Sequence, residues 1–303
     1  MSSENSHVMR GAKSERTVEI ALARDGVIRR GEHVVVACSG GPDSVALAAI
    51  LAAVARRLAL RLTLAHVNHG LRPSAWQDEA VVLRVSAALG LSVRIARLAT
   101  ARADEATLRD VRYGALLEIA REVGAGAVAT AHTAEDQTET LLLALFRGTG
   151  AQGLAGIAAR RELGSGVTLC RPLLRWKHAS LCEYCQVRAL PYALDPSNGD
   201  PAYRRNAVRA ALDSLRPAFP GLDAAVSRTA HLISAELAGG DRADLRQRVR
   251  KVLRENDALR DVDFEHVEAA VRALEANRSG TFYMNAEADL TITSGEISVR
   301  RPR

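Results

Sequence analysis

The sequence predicts an α/β fold: a parallel sheet with helices on both faces, followed by a smaller, mainly helical domain that ends in a short β element. Two observations carry this. From about residue 15 to 190, short continuous apolar runs alternate with longer helical stretches, the pattern of strands buried on both faces between crossover helices. Beyond Pro217 and Pro220 the sequence turns helical and charged, and its last stretch, TFYMN to ISVR, breaks into short strand-like segments. A chain of 303 residues is comfortable for two domains.

Each element follows in order. HVVVAC (33–38) reads as the first strand and Asp43 to Leu60, rich in Ala and Leu, as the helix after it. RLTLAHV (61–67) is the second strand, Trp76 to Leu89 a helix, LSVRIARL (91–98) the third strand and Glu105 to Glu122 a helix. AGAVATAH (125–132) is the fourth strand, and Thr133 to Phe146 is helical. Arg147 to Gly166, rich in Gly and Ala, is expected to be loop. RPLL (171–174), a helix from His178 to Ala189 and the turn cluster DPSNGDP (195–201) close this part. Helices are expected between Gly221 and Asn277, then antiparallel strands with Ser294–Gly295 as a turn. The boundaries are a mobile arm at 1–15, a sheet domain at 16–212 and a C-terminal domain at 213–303. In such a Rossmann-like sheet, ligands bind at the carboxyl ends of the strands, which is where Ser39, His66 to His69 and His132 stand.

Composition narrows the class. No run approaches the roughly 18 apolar residues of a membrane span, and the polar start MSSENSHVMRGAKSERT lacks a signal-peptide core; a cytoplasmic protein with no membrane partner is expected. The net charge of +6 suits a polyanionic partner. Only Lys13, Lys177 and Lys251 are lysines, however, so the basicity is largely an arginine bias and does not specify RNA by itself. The four cysteines, Cys38, Cys170, Cys182 and Cys185, are too few for a secreted disulfide scaffold. Cys182 and Cys185 form a CxxC with no second pair to complete a zinc site, and LCEYCQV fits helix packing.

The densest chemistry is SGGPDS, Ser39-Gly40-Gly41-Pro42-Asp43-Ser44, between a strand and a helix. Glycines let successive backbone N–H groups converge on one anion, and the helix N-terminus adds donors and partial positive charge. Ser39 and Ser44 supply hydroxyls, while Asp43 suits either a helix cap or a Mg²⁺ held with phosphates. No Gly-Lys-Ser/Thr follows, so this is not a Walker A loop.

Further motifs accompany it. HVNHGLR (66–72) offers His66, Asn68, His69 and Arg72; EATLRDVRY (105–113) places Arg109, Arg112 and Tyr113 on one helix. In AHTAEDQTET (131–140), Thr133 is an N-cap candidate with Asp136 at the third helical position, and Glu139 shares its face beside His132. Two such carboxylates can cap and complement the helix dipole, hold an ammonium or hold Mg²⁺, and a carboxylate or histidine can take a proton from an amine. Gln137 reads as a surface residue. DPSN to RRNAVR (195–209) brings Arg204, Arg205, Asn206 and Arg209, either a charged linker helix or a grip on phosphates. Arg242, Arg246, Arg248, Arg250, Lys251 and Arg254 crowd one helical region, although residues 201–303 hold 17 Lys or Arg against 15 Asp or Glu.

SGGPDS resembles the SGGxDS loop of N-type ATP pyrophosphatases, the PP-loop superfamily. In their order the motifs over residues 30–212 resemble the tRNA(Ile)-lysidine synthetases, with Ala131 in place of a usual Gly and Glu135 in place of the first Asp of a pair. The resemblance implies a ligase that uses ATP and Mg²⁺ to adenylate C2 of the wobble cytidine of a CAU-anticodon tRNA(Ile). Free L-lysine then displaces AMP. It also implies ATP binding by Ser39 to Ser44 with His66 and Asn68, and catalysis by Asp43, Arg112, His132, Asp136 and Glu139. Mg²⁺ would sit on Asp43 and Asp136. RNA contacts would come from Arg72, Arg109, Arg204, Arg205, Asn206 and Arg209, with a C-terminal tRNA-recognition domain carrying the local arginine stripe. The rivals are a tRNA thiolase of the same superfamily and a non-catalytic nucleotide-binding regulator.

Overall fold

The computed structural model describes residue 20 and residues 26–68, 70, 75–98, 105–193, 204–239, 241–258, 262, 264–285 and 287–301. The expected arm at 1–15 and the turn cluster at 195–201 lie outside them. The chain divides into two compact units, Met1–Gly148 with Gly156–Ser227, and Thr149–Ala155 with Arg228–Arg303.

The first unit is built on a six-stranded sheet of β1 (His33–Ala37), β2 (Arg61–Asn68), β3 (Ser92–Arg97), β4 (Ala127–Ala129), β5 (Arg160–Gly164) and β6 (Val167–Cys170), in the order β3-β2-β1-β4-β6-β5. All neighbours are parallel except β5, which runs antiparallel to β6 at the edge. The connecting helices are α1 (Pro42–Leu58), α2 (Ala75–Leu89), α3 (Glu105–Glu122), α4 (Ala134–Phe146), α6 (His178–Val187) and α7 (Arg204–Leu215); α5 (Ala151–Leu154) belongs to the second unit.

Side chains alternate faces along a strand, so β1 feeds two cores. Val34 and Val36 join Leu47, Ile50 and Leu51 of α1, Val82 and Val85 of α2 and Leu181 of α6. Val35 joins Tyr113, Leu116 and Ile119 of α3. Each fully buried aliphatic side chain contributes about 1.5–3 kcal/mol, and this two-sided burial explains the unbroken apolar run at 34–36. After β1 the chain builds β2 and β3 on one side, then returns to place β4 on the other. The strand order therefore reverses between β1 and β4, and this type of sheet opens its ligand crevice at such a point.

The expected loop at 147–166 is corrected: it contains α5 and β5. β5 reads RRELG and is largely exposed. An edge strand with one neighbour needs no continuous apolar run, so nothing in its sequence marked it.

In the second unit α9 (Asp241–Glu255) and α10 (Phe264–Glu275) pack on an antiparallel sheet of β7 (Gly280–Asn285), β8 (Ala288–Thr293) and β9 (Glu296–Arg300). Val249, Leu253, Val267, Val271, Met284, Leu290 and Ile292 form the core. Ser294 and Gly295 have φ of 52° and 82°, the double left-handed geometry that suits a two-residue hairpin. α8 (Leu222–Ala238) follows Pro217 and Pro220, and the two units divide within it.

The expected arginine stripe is also corrected. Arg246 is buried against Glu268, and Arg242 pairs with Glu268 at 2.7 Å and Glu275 at 2.6 Å. Glu268 compensates the charge of the buried guanidinium, so the two arginines hold α9 to α10. Arg248, Lys251 and Arg254 remain exposed.

Candidate active site

Ser39 to Ser44 turn sharply from the end of β1 into α1. Gly40 has φ of +94°, a left-handed conformation that favours glycine, while a Cβ there would make ordinary contact with the Asp78 carbonyl oxygen at 3.4 Å. Gly41, at φ −75°, is the N-cap and Pro42 the first helical residue, where a missing N–H costs nothing. Ser44 organises the loop: its Oγ accepts from the Ser39 N–H at 3.1 Å, donates to the Gly41 carbonyl at 2.9 Å and lies 3.2 Å from Ser39 Oγ.

Asp43 does not cap α1, because Gly41 holds that position without a side-chain bond. Its Oδ1 instead lies 2.8 Å from His178 Nδ1 at the start of α6. The His178 backbone N–H donates to both Glu135 carboxylate oxygens, at 3.0 and 3.1 Å. The Asp43 hydrogen bond raises the His178 pKa, with burial opposing it.

A cavity of about 470 Å³ opens at the carboxyl ends of β1 and β4. Of the residues expected at the site, Ser39, Gly41, Pro42, Asp43, Ser44, Arg112, His132, Asp136, Arg205, Asn206 and Arg209 line it, with His178 among them. His132 is half-buried, with Nδ1 3.0 Å from Thr130 Oγ1. Burial pushes its pKa down to about 3; Asp136 opposes this and Arg171, Arg112 and Arg205 reinforce it. The imidazole is therefore neutral at ordinary pH and available for hydrogen bonding in the cavity.

Thr133 is the N-cap of α4 and Asp136 completes a capping box, with Asp136 Oδ2 accepting from the Thr133 N–H at 2.9 Å. Asp136 Oδ1 accepts from Arg205 at 3.0 Å. Glu139 is fully buried and does not line the cavity. It accepts from Arg205 Nε at 2.7 Å and from Arg209 Nε and a second guanidinium nitrogen at 2.7 and 3.1 Å. Carboxylates and arginines read in the sequence as separate ligand sets thus bind one another, fastening α7 to α4.

Other expected residues lie apart. His66 is buried and its Nδ1 donates to the Cys38 carbonyl at 2.8 Å. Asn68 donates to Glu79, which also holds Arg97. Neither lines the cavity; Arg109 and Arg204 are exposed outside it, and His69 and Arg72 fall outside the described residues. Gln137 is corrected from surface to core: it is buried, and its Oε1 accepts from the Ile157 N–H at 2.6 Å. His178 was missed because a lone histidine far along the chain carries no local signal. Cys182 lies 3.4 Å from His178 Nε2, and burial raises the pKa of all four cysteines. Among the described residues no group of three or more His, Cys, Asp or Glu gathers as a metal cage.

A mostly parallel sheet with a glycine-bearing anion loop at its reversal point defines a nucleotide-binding α/β domain. The chain belongs to the PP-loop family: residues 12–215 match the ATP-binding PP-loop domain. It is 44% identical over 214 residues to the tRNA(Ile)-lysidine synthase of Salinispora tropica, covering 69% of this chain and 64% of that one. It is also 40% identical over 209 residues to the enzyme of that name from Ralstonia nicotianae, covering 67% and 45%. The chain thus spans less than two thirds of these relatives' length. In fold it is similar to the U34-tRNA thiolase NcsA of Methanococcus maripaludis, with a TM-score of 0.61 at 19% identity over 74% of this chain and 78% of that one.

Proposed function

We propose that this chain ligates free L-lysine to C2 of the wobble cytidine of CAU-anticodon tRNA(Ile). ATP adenylates the C2 oxygen with loss of pyrophosphate, and the lysine ε-amine then displaces AMP to give lysidine. The observation that carries this reading is the single cavity in which the Ser39–Ser44 loop meets Arg112, His132 and Asp136, within a chain 40–44% identical to proteins named for that product.

The residues divide the work by position. Backbone N–H groups at the start of α1 and the Ser39 hydroxyl face the cavity and suit phosphate oxygens. Arg112 supplies a guanidinium for charge developing on the adenylate. Neutral His132 suits a hydrogen bond with the attacking amine, and the half-buried Asp136 carboxylate suits an ammonium and its proton. Glu139, saturated by Arg205 and Arg209, acts as a positioning residue for α7.

Mg²⁺ fits this donor set as an ion shared with the nucleotide, since it binds through one or two carboxylates and completes its shell with phosphates and water. Asp43 and Asp136 would hold it, and it would neutralise phosphate charge. Burial raises the pKa of the Cys182 and Cys185 thiols, which disfavours a thiolase route that would run through either as a thiolate.

The test is nucleoside mass spectrometry of CAU-anticodon tRNA(Ile) after incubation with ATP, Mg²⁺ and lysine. The expected result is a mass gain of one lysine residue on cytidine, with AMP and pyrophosphate released. A sulfur-sized gain would replace this reading with the thiolase, and ATP binding without turnover would replace it with the regulator.

A further inference from the structure

Two clusters of arginines in the first unit contrast. Arg205 and Arg209 are neutralised by Asp136 and Glu139. Around Tyr113 the opposite holds. The guanidinium carbons of Arg109 and Arg112 lie 5.5 Å from the Tyr113 ring centre and that of Arg161 lies at 5.3 Å, while Arg171 approaches the same buried phenol. None of the four has a carboxylate partner among the described residues: Arg161 donates to the Glu162 carbonyl, and Arg171 donates to the Ala158 carbonyl and faces the Tyr113 phenol.

Arg171 is 2% exposed; its Nε is buried without a hydrogen-bond partner, and the neutral Tyr113 phenol is the side chain its guanidinium faces. Burial lowers the Arg171 pKa and Tyr113 opposes this, but the neighbouring Arg161 and Arg109 charges lower it further. Cation–π contact with one ring returns only about 0.5–2 kcal/mol per guanidinium, too little to offset a buried cation crowded by like charges. Such a cluster is balanced when an anion joins it.

We propose that Arg109 and Arg161, assembled on Tyr113 with the buried Arg171 charge behind them, bind a backbone phosphate of RNA. The inference rests on the RNA-substrate reading above and adds Arg161 to it. Arg161 lies on the edge strand β5 and Arg109 on the outer surface of α3, both exposed, so an extended polyanion can reach them. Arg112, on the same ring, lines the cavity and joins the cluster to the reacting centre. Phosphate oxygens of ATP share this chemistry, but the Ser39–Ser44 loop already offers that nucleotide its own donors.

The experiment titrates labelled tRNA transcript with the full chain, without ATP, between 50 and 200 mM NaCl, and measures ATP affinity in parallel. Arg161→Ala and Arg109→Ala should each weaken tRNA binding and lower the log–log salt slope by about 1. Arg161→Lys should keep the slope, and ATP affinity of Arg161→Ala should match wild type. Loss of ATP affinity with tRNA binding intact would assign the cluster to nucleotide phosphates and overturn the proposal. Unchanged binding of both would make it a solvated surface and overturn it equally. If wild type binds tRNA and adds lysine while the variants match it, only this inference falls; if wild type binds no tRNA, the RNA reading falls with it.

Discussion

Glu139 shows how a residue can matter to a site without touching what it binds. Its carboxylate is buried and balanced by two guanidiniums. Removing its charge leaves Arg205 and Arg209 facing a neutral amide, and breaking a buried ion pair by one partner costs about 3 kcal/mol. Glu139→Gln should therefore lower the urea midpoint at an unchanged slope; an unchanged midpoint would mean that the arginines do not depend on it. The two histidines of the cavity carry opposite pH signatures. His132 titrates far below its ordinary 6.5, down to about 3, so the unfolded chain takes up a proton that the folded chain refuses. The stability it contributes is present above pH 6.5 and is lost as pH falls towards 3. His178 is raised above 6.5, so its contribution is full below 6.5 and fades as pH rises through the raised value. His132→Asn should lose less stability than wild type between pH 6.5 and 4. His178→Asn should fall further behind wild type at pH 5.5 than at pH 8. Parallel pH profiles for wild type and both variants would contradict these assignments.

At the scale of elements, the contact between α4 and the turn before β5 is set by one glycine and one glutamine. Gly156 has φ of +67°, and a Cβ there would stand 2.8–2.9 Å from the Gln137 side-chain amide. That amide accepts from the Ile157 N–H, so the clash strikes the group that pins the turn. Gly156→Ala combines left-handed strain of about 1–2 kcal/mol with the loss of this bond, worth about 1 kcal/mol. Thermal unfolding should show a drop of about 2–3 kcal/mol, and Gln137→Ala in the same background should be less than additive because the two changes share one contact. Full additivity would separate them. Little of this pair was legible in the sequence: nothing in TAEDQTET marks Gln137 as buried, since its partner lies 20 residues on. The capping box was legible, because Thr133 and Asp136 are three residues apart and cap each other. β5 went unread for a related reason: Leu163 is the one apolar residue of this edge strand packed against a core, so no apolar run marks it.

For the whole chain, legibility follows the range of the interaction. Continuous apolar strands and the glycine loop are encoded within a few residues, so the sheet and the Ser39–Ser44 turn could be read directly. The bonds that assemble the cavity are not local: Arg205 to Glu139 spans 66 residues and His178 to Asp43 spans 135. The strand order makes these meetings possible, because β1 and β4 are neighbours although 89 residues lie between Ala37 and Ala127. On the proposed reading, the nucleotide chemistry lies in the first unit, where the Ser39–Ser44 loop stands. ATP with Mg²⁺ at about 100 times its dissociation constant stabilises the protein that binds it by about 2.7 kcal/mol. In short-time hydrogen exchange, protection should therefore appear at the amides of Gly40, Gly41, Asp43 and Ser44 and at Thr133. The amides of β7, β8 and β9 should exchange at unchanged rates, since that sheet has its own core and carries no glycine loop. Asp43→Asn should weaken the loop protection at a fixed ATP and Mg²⁺ concentration. Protection confined to β7–β9, or loop amides indifferent to ATP, would place the nucleotide elsewhere and remove the phosphate-binding role from Ser39–Ser44.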